Sequence, residues 1–208
     1  MGRSDMNTKN YKKIESPIKY HITFSGESGT FSYWDGEKEV SLDKLELVML
    51  DRRSSVSGWS EAIGGRIFSN YFTSNKDHIN VRASNKDILS GTWEADKDRI
   101  KEAGGEYQVN IFALADIGGQ WVPVKLALSK SALAAWSSFS SEQKIWDLYG
   151  SLITVQRGEQ QKKGRVTYYT PTFTMGPLTE ELSKVATAFH RDILKPYLEP
   201  NRTKETVA

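Results

Sequence analysis

From residue 19 onward, hydrophobic and polar positions alternate or recur at helical spacing along most of the chain. Tyr20, Ile22 and Phe24 share one side of a two-residue period and His21 and Thr23 the other, the pattern of a half-buried strand. Gly26-Glu27-Ser28-Gly29 supplies a turn, residues 30–35 a second strand, and Asp35-Gly36 a hairpin signal leading into a return strand at 40–42. Residues 45–50 read as a buried strand that breaks at the basic pair Arg52–Arg53 and a Ser/Gly segment carrying Trp59. After Gly64-Gly65 comes another strand with Arg66, Phe68, Tyr71 and Phe72. Residues 78–82 alternate as a short strand with Arg82 on its polar side, and 84–87 turn again.

The spacing predicts a first helix at 93–103, with Thr92 as its N-cap, acidic residues in its first turn and Gly104-Gly105 as its stop. Residues 106–116 and 120–129 read as two strands around Ile117-Gly118-Gly119. In the second, Val122, Val124, Leu126 and Leu128 share the core face, which puts Trp121 and Lys125 on the opposite one. Pro123 has no amide donor and predicts an edge strand or a bulge. A short helix at 130–139 turns Ala132, Leu133 and Trp136 inward, with Ser129 as cap, and 144–149 form another helical turn. A strand at 151–157, a charged hairpin loop at 158–164 and a return strand at 165–174 follow. Residues 178–198 carry the strongest helical pattern, with Leu178, Leu182, Val185, Phe189, Ile193 and Tyr197 as an apolar stripe. Core packing is the first use of such a stripe, and the seam of a homodimer the alternative.

With 208 residues, 38% hydrophobic and 26% charged, the chain has the size and composition of one soluble domain. Its expected divisions are a flexible basic arm at 1–17 (Lys9, Lys12, Lys13), a β-rich domain at 18–176, an amphipathic helix at 177–199 and a flexible tail at 200–208. A net charge of +2 does not by itself announce nucleic acid, so any basic footprint must be local. The absence of cysteine removes disulfides, thiolate metal sites and cysteine nucleophiles. No apolar run approaches the roughly 18 residues of a membrane helix, and no segment has signal-peptide character, so the expectation is a soluble, cytoplasmic protein with no membrane partner.

His21, His78 and His190 are scattered, with no second ligand at metal spacing. There is no phosphate-cradling P-loop, no dinucleotide fingerprint and no nucleophile elbow. The expectation is a non-enzymatic binder with no cofactor and no metal. A metal-dependent nuclease using Asp51 and other carboxylates such as Asp43, Glu94, Asp96 and Asp98 is a further alternative. Cations and flat side chains around a glycine-containing connection suit a groove for single-stranded nucleic acid, where bases stack and phosphates need positive charge. Trp34, Trp59, Tyr71 and Trp121 are the candidate stacking residues. Arg52, Arg53, Arg66, Arg82 and Lys125 are the candidate phosphate contacts. The same aromatics also suit a core, since alternation does not say which face points inward. They suit a protein-interaction module as well, because Trp, Tyr and Arg dominate protein interfaces.

The successions Gly29-Thr30-Phe31-Ser32-Tyr33-Trp34-Asp35, Leu50-Asp51, Val56-Ser57-Gly58-Trp59-Ser60 and Ile67-Phe68-Ser69-Asn70 resemble small proteins encoded by tailed bacteriophages. Ile111-Phe112-Ala113, Val124-Lys125-Leu126 and Ala132-Leu133-Ala134-Ala135-Trp136 look like the second half of the same proteins. The resemblance covers about residues 24–174 and implies the OB-fold of single-stranded DNA-binding proteins. That is an α+β, mainly antiparallel, partly open barrel, here with peripheral helices and a C-terminal helix. It also implies binding of single-stranded DNA in phage replication or recombination, in the host cytoplasm and beside replication or recombination proteins. Many such binders end in an acidic tail, whereas residues 199–208 here are not acidic, which puts tail-mediated recruitment in doubt.

Overall fold

The computed structural model describes residues 15–84 and 86–199; most of the basic arm, with its three lysines, and the 200–208 tail lie outside them. The described chain is α+β, built on one mixed, largely antiparallel sheet that does not close. Its strands are β1 (Tyr20–Ser25), β2 (Thr30–Trp34), β3 (Glu39–Leu42), β4 (Lys44–Ser60), β5 (Gly65–Ser69), β6 (His78–Ala83), β7 (Lys86–Thr92), β8 (Gly105–Ile117), β9 (Gln120–Leu128), β10 (Leu152–Lys163) and β11 (Val166–Gly176). Helix α1 (Trp93–Glu102) precedes β8, and α2 (Lys130–Ser141) and α3 (Ile145–Tyr149) lie between β9 and β10. The chain ends in α4 (Glu180–Phe189), a π-helical turn (His190–Leu194) and α5 (Lys195–Leu198).

The sheet runs β3-β2-β1-β9-β8-β4-β5-β6-β7, with β1 and β9 its parallel pair. Strand β4 organises it. One edge of β4 pairs with β8 along most of its length. The other edge is divided: Leu47 and the residues before it pair with β10, and Ser57 to Ser60 pair with β5. Because two hairpins share that edge, the path ends at β3 and β7, which do not pair with each other. The expected OB-like barrel is therefore not confirmed, although the α+β class and the antiparallel bias hold. The polar break expected at Arg52–Arg53 is also absent: β4 passes through it, with an irregularity between Met49 and Asp51.

Three clusters of apolar side chains hold the sheet. Beneath α2, Leu45, Leu47 and Met49 of β4 meet Ile111 and Ala113 of β8, Val122 to Leu128 of β9, and Trp136. Ile100 of α1 packs on Val56, Ile67, Ile79 and Val81. On the opposite face from α2, the C-terminal helix covers Val48, Leu50, Phe112 and Leu114. Strand β8 is apolar on both sides because it is covered on both, which explains its unbroken run from Ile111 to Ala115.

The alternation read for β9 holds, but the strand is internal, between β8 and β1. Pro123 is tolerated there because its carbonyl, and with it the missing donor, faces the side where β1 has not yet begun; that carbonyl accepts from Lys19 N at 2.8 Å. Thr92 caps α1 as expected, its Oγ1 accepting from Ala95 N at 3.2 Å. Ser129 makes no side-chain cap bond to α2. Residues 158–163, read as a loop, continue β10, and residues 86–92, read partly as a turn, form β7.

Leu182 and Phe189 of the C-terminal helix, and Leu178 just before it, face the sheet, whereas Val185 and Ile193 are exposed. The π-helical turn inserts one residue into the repeat, so Leu194 takes the inward position that the regular spacing gives to Ile193.

Candidate functional site

The face covered by the C-terminal helix is only half covered. Along β8 its side chains run Leu114, Phe112, Asn110, Gln108, from apolar under the helix to polar beyond it. The same change occurs along β9, from Trp121 to Lys125 and Ala127, and along β4, from Val48 to Ser55, Ser57 and Trp59. Where the helix ends, a cleft of about 450 Å³ opens. His21 and Thr23 of β1, Lys125 of β9, Gln108 and Asn110 of β8, Ser55 and Ser57 of β4, and Arg66 and Phe68 of β5 line it, with Tyr71.

The floor is an ordered polar network. Asn110, buried, donates from Nδ2 to Ser55 Oγ at 2.9 Å, and Gln108 Nε2 donates to Asn110 Oδ1 at 3.4 Å. Ser69 Oγ accepts from Val56 N at 2.9 Å. Lys125 Nζ donates to Tyr71 Oη at 3.4 Å, and its ammonium lies 5.9 Å from the Tyr71 ring centroid.

The electrostatics have one sign. Burial, followed by the charges of Lys125 and Arg66, lowers the pKa of His21 from its ordinary 6.5. Burial, followed by Arg66, likewise lowers that of Lys125. No Asp or Glu is among the lining residues, so the three basic side chains, His21, Arg66 and Lys125, share the cleft without a carboxylate. Such a site favours an anion, which relieves their mutual repulsion. The rim carries flat surfaces: Trp59 (53% exposed) is the cross-strand partner of Arg66, and Phe68 (43% exposed) that of Ser57.

Among the sequence candidates, Trp59, Arg66, Tyr71 and Lys125 meet at or beside this cleft. Tyr71 is half-buried with its ring edge-on to Phe112 at 5.3 Å, so it offers its hydroxyl rather than a stacking face. Burial, followed by Tyr197, pushes its pKa up to about 12, which keeps that hydroxyl protonated. Arg82 is opposite Phe68 on the same face, but its Nε donates to Asp87 at 2.6 Å. Trp121 shares the Lys125 side of β9 and is covered by the C-terminal helix. Arg53 is held by Asp51 at 2.9 Å and Glu199 at 3.3 Å, away from solvent. Arg52 is exposed but opposite Ile111, hence on the other side of β4. Trp34, 62% exposed at the end of β2, is not among the lining residues.

The residues not foreseen are mostly small and polar: Ser55, Ser57, Gln108 and Asn110. Gln108 and Asn110 stand on the polar side of the alternation in β8, whereas the serines of β4 carry no local signal. Asp51, which the nuclease alternative needs, is committed to Arg53 and lies 3.9 Å from His190; among the described residues no three His, Asp or Glu side chains form a metal-holding group. No described helix is long and apolar enough to cross a membrane. No family model, curated protein or solved structure matches the chain.

Proposed function

We propose that the protein binds single-stranded DNA along the open half of this sheet face. Bases stack on Trp59 and Phe68 at the rim, and backbone phosphates meet Arg66, Lys125 and, when protonated, His21. The serine, asparagine and glutamine side chains of the floor accept many base edges, so contact is tolerant of sequence. The observation that carries the reading is the cationic cleft without a carboxylate, bordered by exposed aromatics, which is the combination that single-strand binding requires. The scheme is OB-like in principle, with one sheet face holding the strand, and does not need a closed barrel. Replication or recombination, where single strands are exposed, is the setting proposed for it.

The test is intrinsic tryptophan fluorescence during titration with oligothymidine at low salt. Stacking on Trp59 quenches part of the emission; an unchanged spectrum with no binding removes the reading. A second reading, a protein-interaction module, is favoured by a separate apolar pocket of about 370 Å³ lined by Met49, Leu50, Trp146, Tyr149 and Ala186. Trp146 on its rim is 78% exposed, unusual for a tryptophan without a partner.

A further inference from the structure

A second group of cations lies at the end of the β10–β11 hairpin. Strand β10 pairs with β4 only from Ile153 to Gln156. Beyond an irregularity between Arg157 and Gln160, β10 and β11 pair with each other alone, from Gln160 opposite Tyr169 to Lys163 opposite Val166. The base of this extension is fixed. Arg157 N donates to Asp43 O at 3.2 Å, and Tyr169 N donates to Gly26 O at 2.7 Å. The Arg157 guanidinium lies 3.8 Å from the Tyr169 ring centroid. The ring rests on Gly29, which has φ +73° and where a Cβ would come within 2.8 Å of it.

Past that clamp, residues 159–167 are all exposed, and Glu159, in the irregularity beside the clamp, is the one carboxylate among them. Among the described residues, Lys162, Lys163 and Arg165 enter no ion pair. The hairpin therefore presents three cations outside any ion pair, with one carboxylate near its base, on a narrow ribbon fixed at that base. Four cross-strand pairs at about 3.4 Å per residue extend roughly 10 Å, close to the ~8.5 Å depth of the B-DNA major groove. Two strands about 4.8 Å apart fit its ~12 Å width, whereas the major groove of an RNA duplex is too narrow to admit them. An interface with another protein would call for large apolar anchors, and the tip offers only Val166.

We propose that this hairpin is a duplex-DNA arm, entering the major groove with Lys162, Lys163 and Arg165 against the flanking phosphates. No residue of the hairpin is among those lining the cleft, so either site can fail without the other. Together they suit a junction, with the single strand on the sheet face and duplex on the arm.

The test is fluorescence anisotropy with a labelled blunt duplex of about 20 base pairs and, in parallel, with oligothymidine, for the wild type and K162Q/K163Q/R165Q. All three side chains are exposed, and circular dichroism checks that the variant is folded. Loss of three phosphate contacts reduces the log–log salt slope on duplex by about 2.7, so between roughly 50 and 200 mM salt the wild type loses about 40-fold more affinity than the variant. Oligothymidine binding stays unchanged. Equal duplex affinity in the two proteins, no duplex binding by the wild type at low salt, or an equal loss on both ligands overturns the proposal. Failure of the cleft reading shows separately, as absent oligothymidine binding by the wild type.

Discussion

The π-helical turn makes a prediction that a regular helix reverses. Leu194 has 0% exposure beneath the C-terminal helix, while its neighbour Ile193 is 46% exposed. Truncating Leu194 to alanine removes buried methyl groups and leaves a cavity, a cost of about 3–5 kcal/mol. Truncating Ile193 removes surface that water already reaches in large part, and alanine is the better helix former, so the net cost is about 1 kcal/mol or less. Urea unfolding followed by circular dichroism resolves the two. With a slope of about 2 kcal/mol per molar, Leu194→Ala lowers the midpoint by about 1.5 M or more and Ile193→Ala by under about 0.5 M. If Ile193→Ala proves the costlier, the phase shift is refuted and the stripe runs through Ile193 as its spacing suggests. The result bears on function, because this helix is what keeps Trp121 from serving as a stacking surface.

Tryptophans on the two halves of the face should therefore behave differently. Trp59→Ala weakens oligothymidine binding by about 5- to 150-fold, equivalent to roughly 1–3 kcal/mol, whereas Trp121→Ala lowers thermal stability and leaves affinity nearly unchanged; fluorescence titration and a melting curve separate them. His21, with its lowered pKa, is neutral near pH 7, and a phosphate in the cleft favours its charged form, so affinity rises as pH falls from about 7.5 to 6. In His21→Gln that part of the pH dependence disappears, which binding curves at several pH values check. In the free protein the sign is opposite. The unfolded chain takes up the proton first, so stability falls as pH drops below 6.5, and denaturant midpoints for His21→Gln fall less steeply there.

Much of the fold was legible because local pattern and tertiary placement agree. Strand β9 alternates cleanly since one side meets the main core, and α1 carries its cap and its glycine stop in the sequence. The misreadings share a cause. At Arg52–Arg53 and at residues 158–163 the chain stays extended while its side chains leave the core, so the hydrophobic signal ends before the strand does. The π-helical turn is invisible to a spacing rule because one inserted residue shifts the phase without changing the composition. The candidate site was legible only in part. Arg66, Lys125 and Trp59 stood out by residue type, but the strand order that brings β1, β9, β8, β4 and β5 side by side is a long-range property. Register also decides that Arg53 faces Asp51 and Glu199 and that Trp121 faces a helix, and no local pattern carries that information.

In the proposed complex Arg66 and Lys125 hold the phosphates of a single strand. The most direct test compares the salt dependence of oligothymidine binding in the wild type and in R66Q/K125Q. With about 0.7 per phosphate on a single strand, losing two contacts lowers the slope by about 1.4, so a fourfold rise in salt costs the wild type about 7-fold more affinity than the variant. Indistinguishable slopes and affinities in the two folded proteins would contradict a phosphate-binding role for Arg66 and Lys125.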